Sequence, residues 1–108
     1  MERRERRALT GEIKMAIDWV VESLAPYRVF IYNRRENHRG QVTGFKLCII
    51  ADTPDKAAAE RDIYLGFDSD VPFDVLIYTP EEWEQITRQE ASFAKKIIET
   101  GLIVYEKA

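Results

Sequence analysis

The sequence predicts an α+β domain, a mixed β-sheet of about four strands with helices packed against it. Three observations carry that expectation. Four short apolar runs, Tyr27–Tyr32, Phe45–Ala51, Phe73–Tyr78 and Leu102–Glu106, have the length and β-branched or aromatic content of strands. The stretches between them carry helical spacing or helix caps. Glycine, proline and short polar residues stand at most of the joins, and the resulting order is α-β-β-α-β-α-α-β.

The opening helix is expected from about Thr10 to Leu24, where Ile13, Ala16, Ile17, Val20, Val21 and Leu24 make one apolar stripe. Residues 1–9, with Arg3, Arg4, Arg6 and Arg7, either extend this helix or form a mobile basic arm. Pro26 ends the helix and Tyr27–Tyr32 follows as the first strand. Asn33–Thr43 is polar, contains Gly40, and reads as an exposed loop. In the second strand the unbroken run Leu47-Cys48-Ile49-Ile50 suggests a central position covered on both faces. A helix begins near Asp55 and runs toward Tyr64, and Gly66 to Pro72 is turn-rich.

After the third strand, Thr79-Pro80-Glu81-Glu82 is the strongest local signal. Thr79 is placed to cap, Pro80 suits the first helical position, and Glu82 closes a capping box. Helices over Pro80–Arg88 and Ser92–Thr100 should follow, the second stopped by Gly101 before the last strand.

The 108 residues are 45% hydrophobic and 32% charged, which excludes a disordered segment and fits one domain over 1–108. A chain of this size buries roughly two-thirds of its unfolded surface and needs no staples. Cys48 is the only cysteine, so there is no internal disulfide and no cysteine metal cluster; its apolar neighbours make it a buried small hydrophobe. No apolar run approaches a membrane span, and no signal-peptide pattern stands near the start, so a cytoplasmic protein is the expectation.

Charge is unevenly spread. Residues 1–46 hold 10 Lys+Arg against 6 Asp+Glu, whereas residues 47–108 hold 6 against 13. Arg28, Arg34, Arg35, Arg39 and Lys46, with His38 nearby, form a positive stretch broken only by Glu36. It reads either as a site for phosphates or an acidic protein face, or as a solvated loop paired with acids elsewhere. His38 is a solvent-facing loop residue in this reading, since metal ligation would need more than Glu36 beside it. Ser23, Ser69 and Ser92 lie outside any nucleophile elbow, and there is no Gly-rich phosphate loop or dinucleotide fingerprint.

The layout resembles the minimal nucleotidyltransferase (MNT) domains of the DNA polymerase β superfamily. Val29-Phe30-Ile31-Tyr32-Asn33-Arg34 occupies the place of the family's first strand and its Gly-Ser end. Thr43-Gly44-Phe45-Lys46-Leu47 stands where the family reads Ser-Asp-x-Asp-Leu, and Phe73–Glu82 looks like its third strand and following helix. Gly101–Tyr105 resembles the usual end of small stand-alone members.

In active relatives the Gly-Ser turn binds the triphosphate and three acids hold divalent ions that serve the transfer. Matched residue by residue, Gly-Ser becomes Asn33-Arg34, the paired aspartates become Gly44 and Lys46, and only Asp74 keeps a carboxylate. Glycine offers no ligand, and an ammonium repels the ion. The resemblance therefore implies a degenerate, catalytically silent member with no confident catalytic residue, no metal and no cofactor. By the family's sheet order Lys46 should lie beside Asp74, either paired with it or snorkelling to solvent.

The function implied by the resemblance is a binding or regulatory role, antitoxin-like, toward a helical HEPN-type protein of the kind that accompanies small MNT members. Trp83 and Trp19 are candidate interface anchors if they do not pack in the core. One alternative is an active nucleotidyltransferase with Mg²⁺ in a rearranged site drawn from Glu36, Asp52 and Asp74. Another is metal-independent binding of a nucleotide or RNA through Asn33, Arg34, Arg35 and Arg39. A homodimer through the last helices or an edge strand is also compatible with the sequence.

Overall fold

The computed structural model describes residues 11–89 and 92–107. The expected basic arm over 1–9 lies outside them. The elements are α1 (Gly11–Leu24), β1 (Arg28–Glu36), β2 (Val42–Ile50), α2 (Lys56–Gly66), β3 (Phe73–Tyr78), α3 (Pro80–Thr87), α4 (Phe93–Thr100) and β4 (Leu102–Glu106). This is the expected α+β class and element order.

The four strands form one sheet in the order β3-β2-β1-β4. β1 is antiparallel to both β2 and β4, whereas β2 and β3 are parallel. The connections follow from that geometry: an antiparallel pair closes with a tight turn, and the parallel pair needs the α2 crossover.

Alternation along the strands sorts the core into two layers. Val29, Ile31, Leu47, Ile49, Val75 and Ile77 face α1 and α2, where Ile13, Ile17, Val20 and Ile63 cover them. Phe30, Tyr32, Cys48 and Ile50 face α3 and α4, meeting Trp83, Ala94 and Ile97. Leu47–Ile50 is buried throughout, as a strand clothed on both faces requires. Each such aliphatic side chain contributes roughly 1.5–3 kcal/mol by leaving water.

Helix ends are set by local chemistry. Asp55 accepts from Ala58 N–H, Ser92 from Lys95 N–H, and the Thr79–Glu82 capping box is complete. α1 ends on Ala25 at φ 47, whose N–H donates to the Val21 carbonyl before Pro26.

Two expectations are corrected. Asn33–Thr43 is not an exposed loop: β1 runs on to Glu36 and β2 starts at Val42, leaving a tight turn over Asn37–Gln41. Gly66 belongs to α2 rather than to the turn after it. Trp83 is a core residue, its ring 5.3 Å from Phe30 and 5.7 Å from Tyr78, so packing accounts for it. Trp19 is half-buried and packs against Gly66. Among the described residues no helix is long and apolar enough to cross a membrane.

Candidate functional site

Tyr32, Lys46 and Asp74 lie in one row across three strands, Lys46 being the Cα partner of both. The row is on the sheet face that α3 and α4 cover: Tyr32 packs under those helices, whereas Lys46 and Asp74 reach solvent. Gly44, two residues before Lys46, shares that face. Here the sheet opens into a cleft of about 260 Å³ lined by Asn33, Arg35, Thr43, Gly44, Lys46 and Asp74 together with Phe45, Pro72 and Phe73.

A β-bulge shapes the cleft's β1 side. Tyr32 pairs with Lys46 and Arg35 with Gly44, so β1 carries one residue more than β2 between those points. Asn33 takes the left-handed conformation there, at φ 49. Asparagine is one of the few residues besides glycine that enters this region readily. The backbone at Asn33 is therefore of the kind that glycine favours.

The bulge separates the arginines. Arg35 lines the cleft, whereas Arg34 pairs with Glu36 at 2.5 Å and its Nε is buried without a hydrogen-bond partner. Arg39 and His38 are exposed at the hairpin turn, where Asn37 Oδ1 accepts from the Arg39 and Gln41 N–H groups. Arg28 is at the other end of β1, beside Glu106 at 3.4 Å. Of the expected phosphate-binding residues, Asn33 and Arg35 share the cleft with Lys46, and Arg34 and Arg39 do not line it.

Lys46 Nζ stands 4.0 Å from Asp74 Oδ2, with the lysine side chain 36% exposed and the aspartate 70% exposed. The two expected alternatives meet in this geometry: the charges face each other at the outer limit of an ion pair, and both reach solvent.

Neither neighbouring hydroxyl nor thiol is set up for proton transfer near neutral pH. Burial, with Cys48, Tyr78 and Asp74 nearby, pushes the Tyr32 phenol up to about 12, and the Phe93 ring meets it edge-on at 5.6 Å. Burial likewise pushes the Cys48 thiol up to about 12.

The divalent ions of the polymerase β superfamily do not fit these residues. Among the described residues no group of three His, Cys, Asp or Glu side chains is placed to hold a metal. Glu36 is taken by Arg34, and Asp52 follows the far end of β2 from Lys46. What remains at the cleft is one carboxylate beside an ammonium and a guanidinium, a donor set for anions and carboxylates.

Tyr32 and Pro72 were not legible as site residues. Tyr32 belongs because register puts it opposite Lys46, and Pro72 because its carbonyl accepts from the Phe45 N–H at 3.3 Å. No protein-family model, curated protein or solved structure matches this chain. The likeness to minimal nucleotidyltransferases is one of layout and of the residues quoted for it.

Proposed function

We propose that this chain is a nucleotidyltransferase-like domain that does not transfer nucleotides and acts as a binding or regulatory, antitoxin-like partner of a helical HEPN-type protein. The observation that supports this reading is Lys46 beside Asp74. A fixed cation stands where the resemblance puts a metal-binding aspartate, and Gly44 replaces the other. With a charge of that sign in the row, a divalent ion is repelled and the site's remaining use is recognition.

The test is coexpression with a helical HEPN-type protein. The expected result is a complex that copurifies intact in excess EDTA, with no transfer of label from a nucleoside triphosphate to RNA or protein. Label transfer by the purified chain with Mg²⁺, lost in Asp74→Ala, would overturn the reading.

A second reading has its own support. Asn33, Arg35 and Lys46 line one cleft with a single carboxylate, so a phosphate group from a nucleotide or RNA has two cations and an amide to meet. Titration with ATP, with and without Mg²⁺, separates the two. This reading expects binding that ignores Mg²⁺, weakens with salt, and is lost in Arg35→Ala but kept in Arg39→Ala. No heat of binding under either condition leaves the protein partner alone.

A further inference from the structure

Among the described residues β3 pairs on one side only, with β2, and is an outer strand of the sheet. Two hydrogen bonds fix the direction of its backbone groups. The Pro72 and Tyr78 carbonyls accept from the N–H groups of Phe45, in β2, and Ala51, just past it. Along a strand the N–H and C=O of one residue point the same way, and successive residues alternate. Asp74 and Leu76 therefore turn their backbone toward β2, whereas Phe73, Val75 and Ile77 turn theirs outward. Thr79, extended and just past the strand, continues the outward set.

An outward row of this kind is what a further strand pairs with. Here two of its donors are already used. The Val75 N–H, at the middle of the row, donates to Tyr64 Oη at 3.0 Å, and the Thr79 N–H donates to Glu82 Oε1 at 2.9 Å. Both acceptors depend on α2, the helix that crosses from β2 to β3. Tyr64 belongs to it, and Glu82 is held by its first residue, Lys56, whose Nζ lies 2.9 and 2.8 Å from the two carboxylate oxygens.

The Tyr64 ring is placed by packing rather than by its hydroxyl. Its centroid is 5.4 Å from that of Phe73, which in turn stacks on Phe45 at 5.5 Å and meets Phe67 edge-on at 5.7 Å. The residue is 40% exposed, so the phenol ends at the surface of the edge. A separation of 3.0 Å is that of an ordinary N–H···O bond between strands.

We propose that Tyr64 closes the β3 edge to strand addition. Its hydroxyl oxygen stands where a carbonyl of a fifth strand would stand, so the central donor of the row is spent within the chain. Without that oxygen the Val75 N–H is free, and the edge takes a strand from a second copy of the chain.

Tyr64→Phe keeps the ring and its contact with Phe73 and removes only the acceptor. The readout is amide hydrogen exchange, residue by residue, across a protein concentration series. In the unaltered chain exchange at Phe73, Val75 and Ile77 should be the same at every concentration. In dilute Tyr64→Phe, with circular dichroism unchanged, the Val75 amide should exchange at least tenfold faster. As the variant is concentrated, exchange at Val75 and Ile77 should slow again while its sedimentation mass rises. Leu65→Ala, one residue along and 79% exposed, should behave as the unaltered chain does.

Three outcomes would overturn the proposal. Equal Val75 rates in the two dilute proteins would mean that the hydroxyl does not protect this donor. Exchange along β3 that slows with concentration in the unaltered chain, an observation that needs no variant, would mean that the edge is open with Tyr64 in place. Exchange along β3 that ignores concentration in Tyr64→Phe would mean that something other than this hydroxyl closes it. The chain is tested alone, so the outcome is independent of any HEPN-type partner.

Discussion

Lys46 and Asp74 face each other across the parallel pair β2–β3, Cα partners whose charged ends stand 4.0 Å apart. With Asp74 70% exposed, solvent screens most of that attraction. A double-mutant cycle of Lys46→Ala and Asp74→Ala, read by denaturant unfolding, should give a coupling energy below about 1 kcal/mol. A coupling of about 3 kcal/mol would make the pair a staple of the fold, which this geometry does not support. Both side chains line the cleft and give it one charge of each sign.

The proposed reading expects that replacing the cleft's cation by acids creates a metal site. A Cβ added at Gly44 meets only the Pro72 carbonyl oxygen, at 3.6 Å, an ordinary contact, so a side chain can start there without displacing backbone. Gly44→Asp with Lys46→Asp would put three carboxylates on one face with Asp74. The double variant should bind Mn²⁺, gaining about 1.4 kcal/mol of stability at ten times the dissociation constant. The unaltered chain should show no such rise. Equal melting shifts with Mn²⁺ in both proteins would show that Lys46 does not exclude the ion.

Two glycines are held by different neighbours and should respond differently. At Gly101 a Cβ would stand 2.6 Å from the Ile97 carbonyl oxygen and 3.0 Å from that of Ile31, both backbone atoms. Gly101→Ala should therefore cost about 1–3 kcal/mol, read as a lower denaturant midpoint at unchanged slope. At Gly66 the clash is with the Trp19 ring, which has a side chain's freedom to shift. Alanine's better helix propensity offsets about 1 kcal/mol there, so Gly66→Ala should cost less. The reverse order would mean that the α4–β4 turn gives more easily than the indole.

Glu82 ties the start of α3 to α2 and should shape the acid limb of stability. Lys56 Nζ lies 2.9 and 2.8 Å from its two oxygens, and Oε1 also accepts the Thr79 N–H at 2.9 Å. The Lys56 hydrogen bond first, and the Thr79 N–H second, hold its carboxyl below the ordinary 4.5. The unfolded chain then takes up this proton more readily than the folded one. The contribution is present above the unfolded value and is lost as pH falls through the folded one. Glu82→Gln should flatten the fall in melting temperature below about pH 4.5. Thr79→Ala, which removes the cap but leaves the carboxylate with its Lys56 hydrogen bond, should cost about 1 kcal/mol and keep most of that slope.

Local chemistry made much of the fold legible. The Thr79-Pro80-Glu81-Glu82 cap, the buried run Leu47–Ile50 and the stop at Gly101 each rest on neighbours in sequence, and each stands where expected. Asn33–Thr43 misleads because its polarity suggests a loop. Beyond the core the two strands go on pairing through their backbones, and a ladder open to solvent asks for no apolar alternation.

Legibility at the cleft stopped at residue types. A polar, arginine-rich stretch and Lys46 after it were visible, and by themselves they suggested one cluster. Register divided it: the bulge at Asn33 left Arg35 in the cleft and Arg34 beside Glu36, while the hairpin kept Arg39 at its tip.

By itself the sequence determined the class, the order of elements and the burial of Cys48, because caps, periodicity and apolar runs are local properties. Only the tertiary structure decided that Lys46 stands beside both Tyr32 and Asp74, and that β3 and β4 are the outer strands of the sheet. Those depend on which strands pair and in what register. That choice is made by burying two faces of one sheet at once, and no single segment contains it.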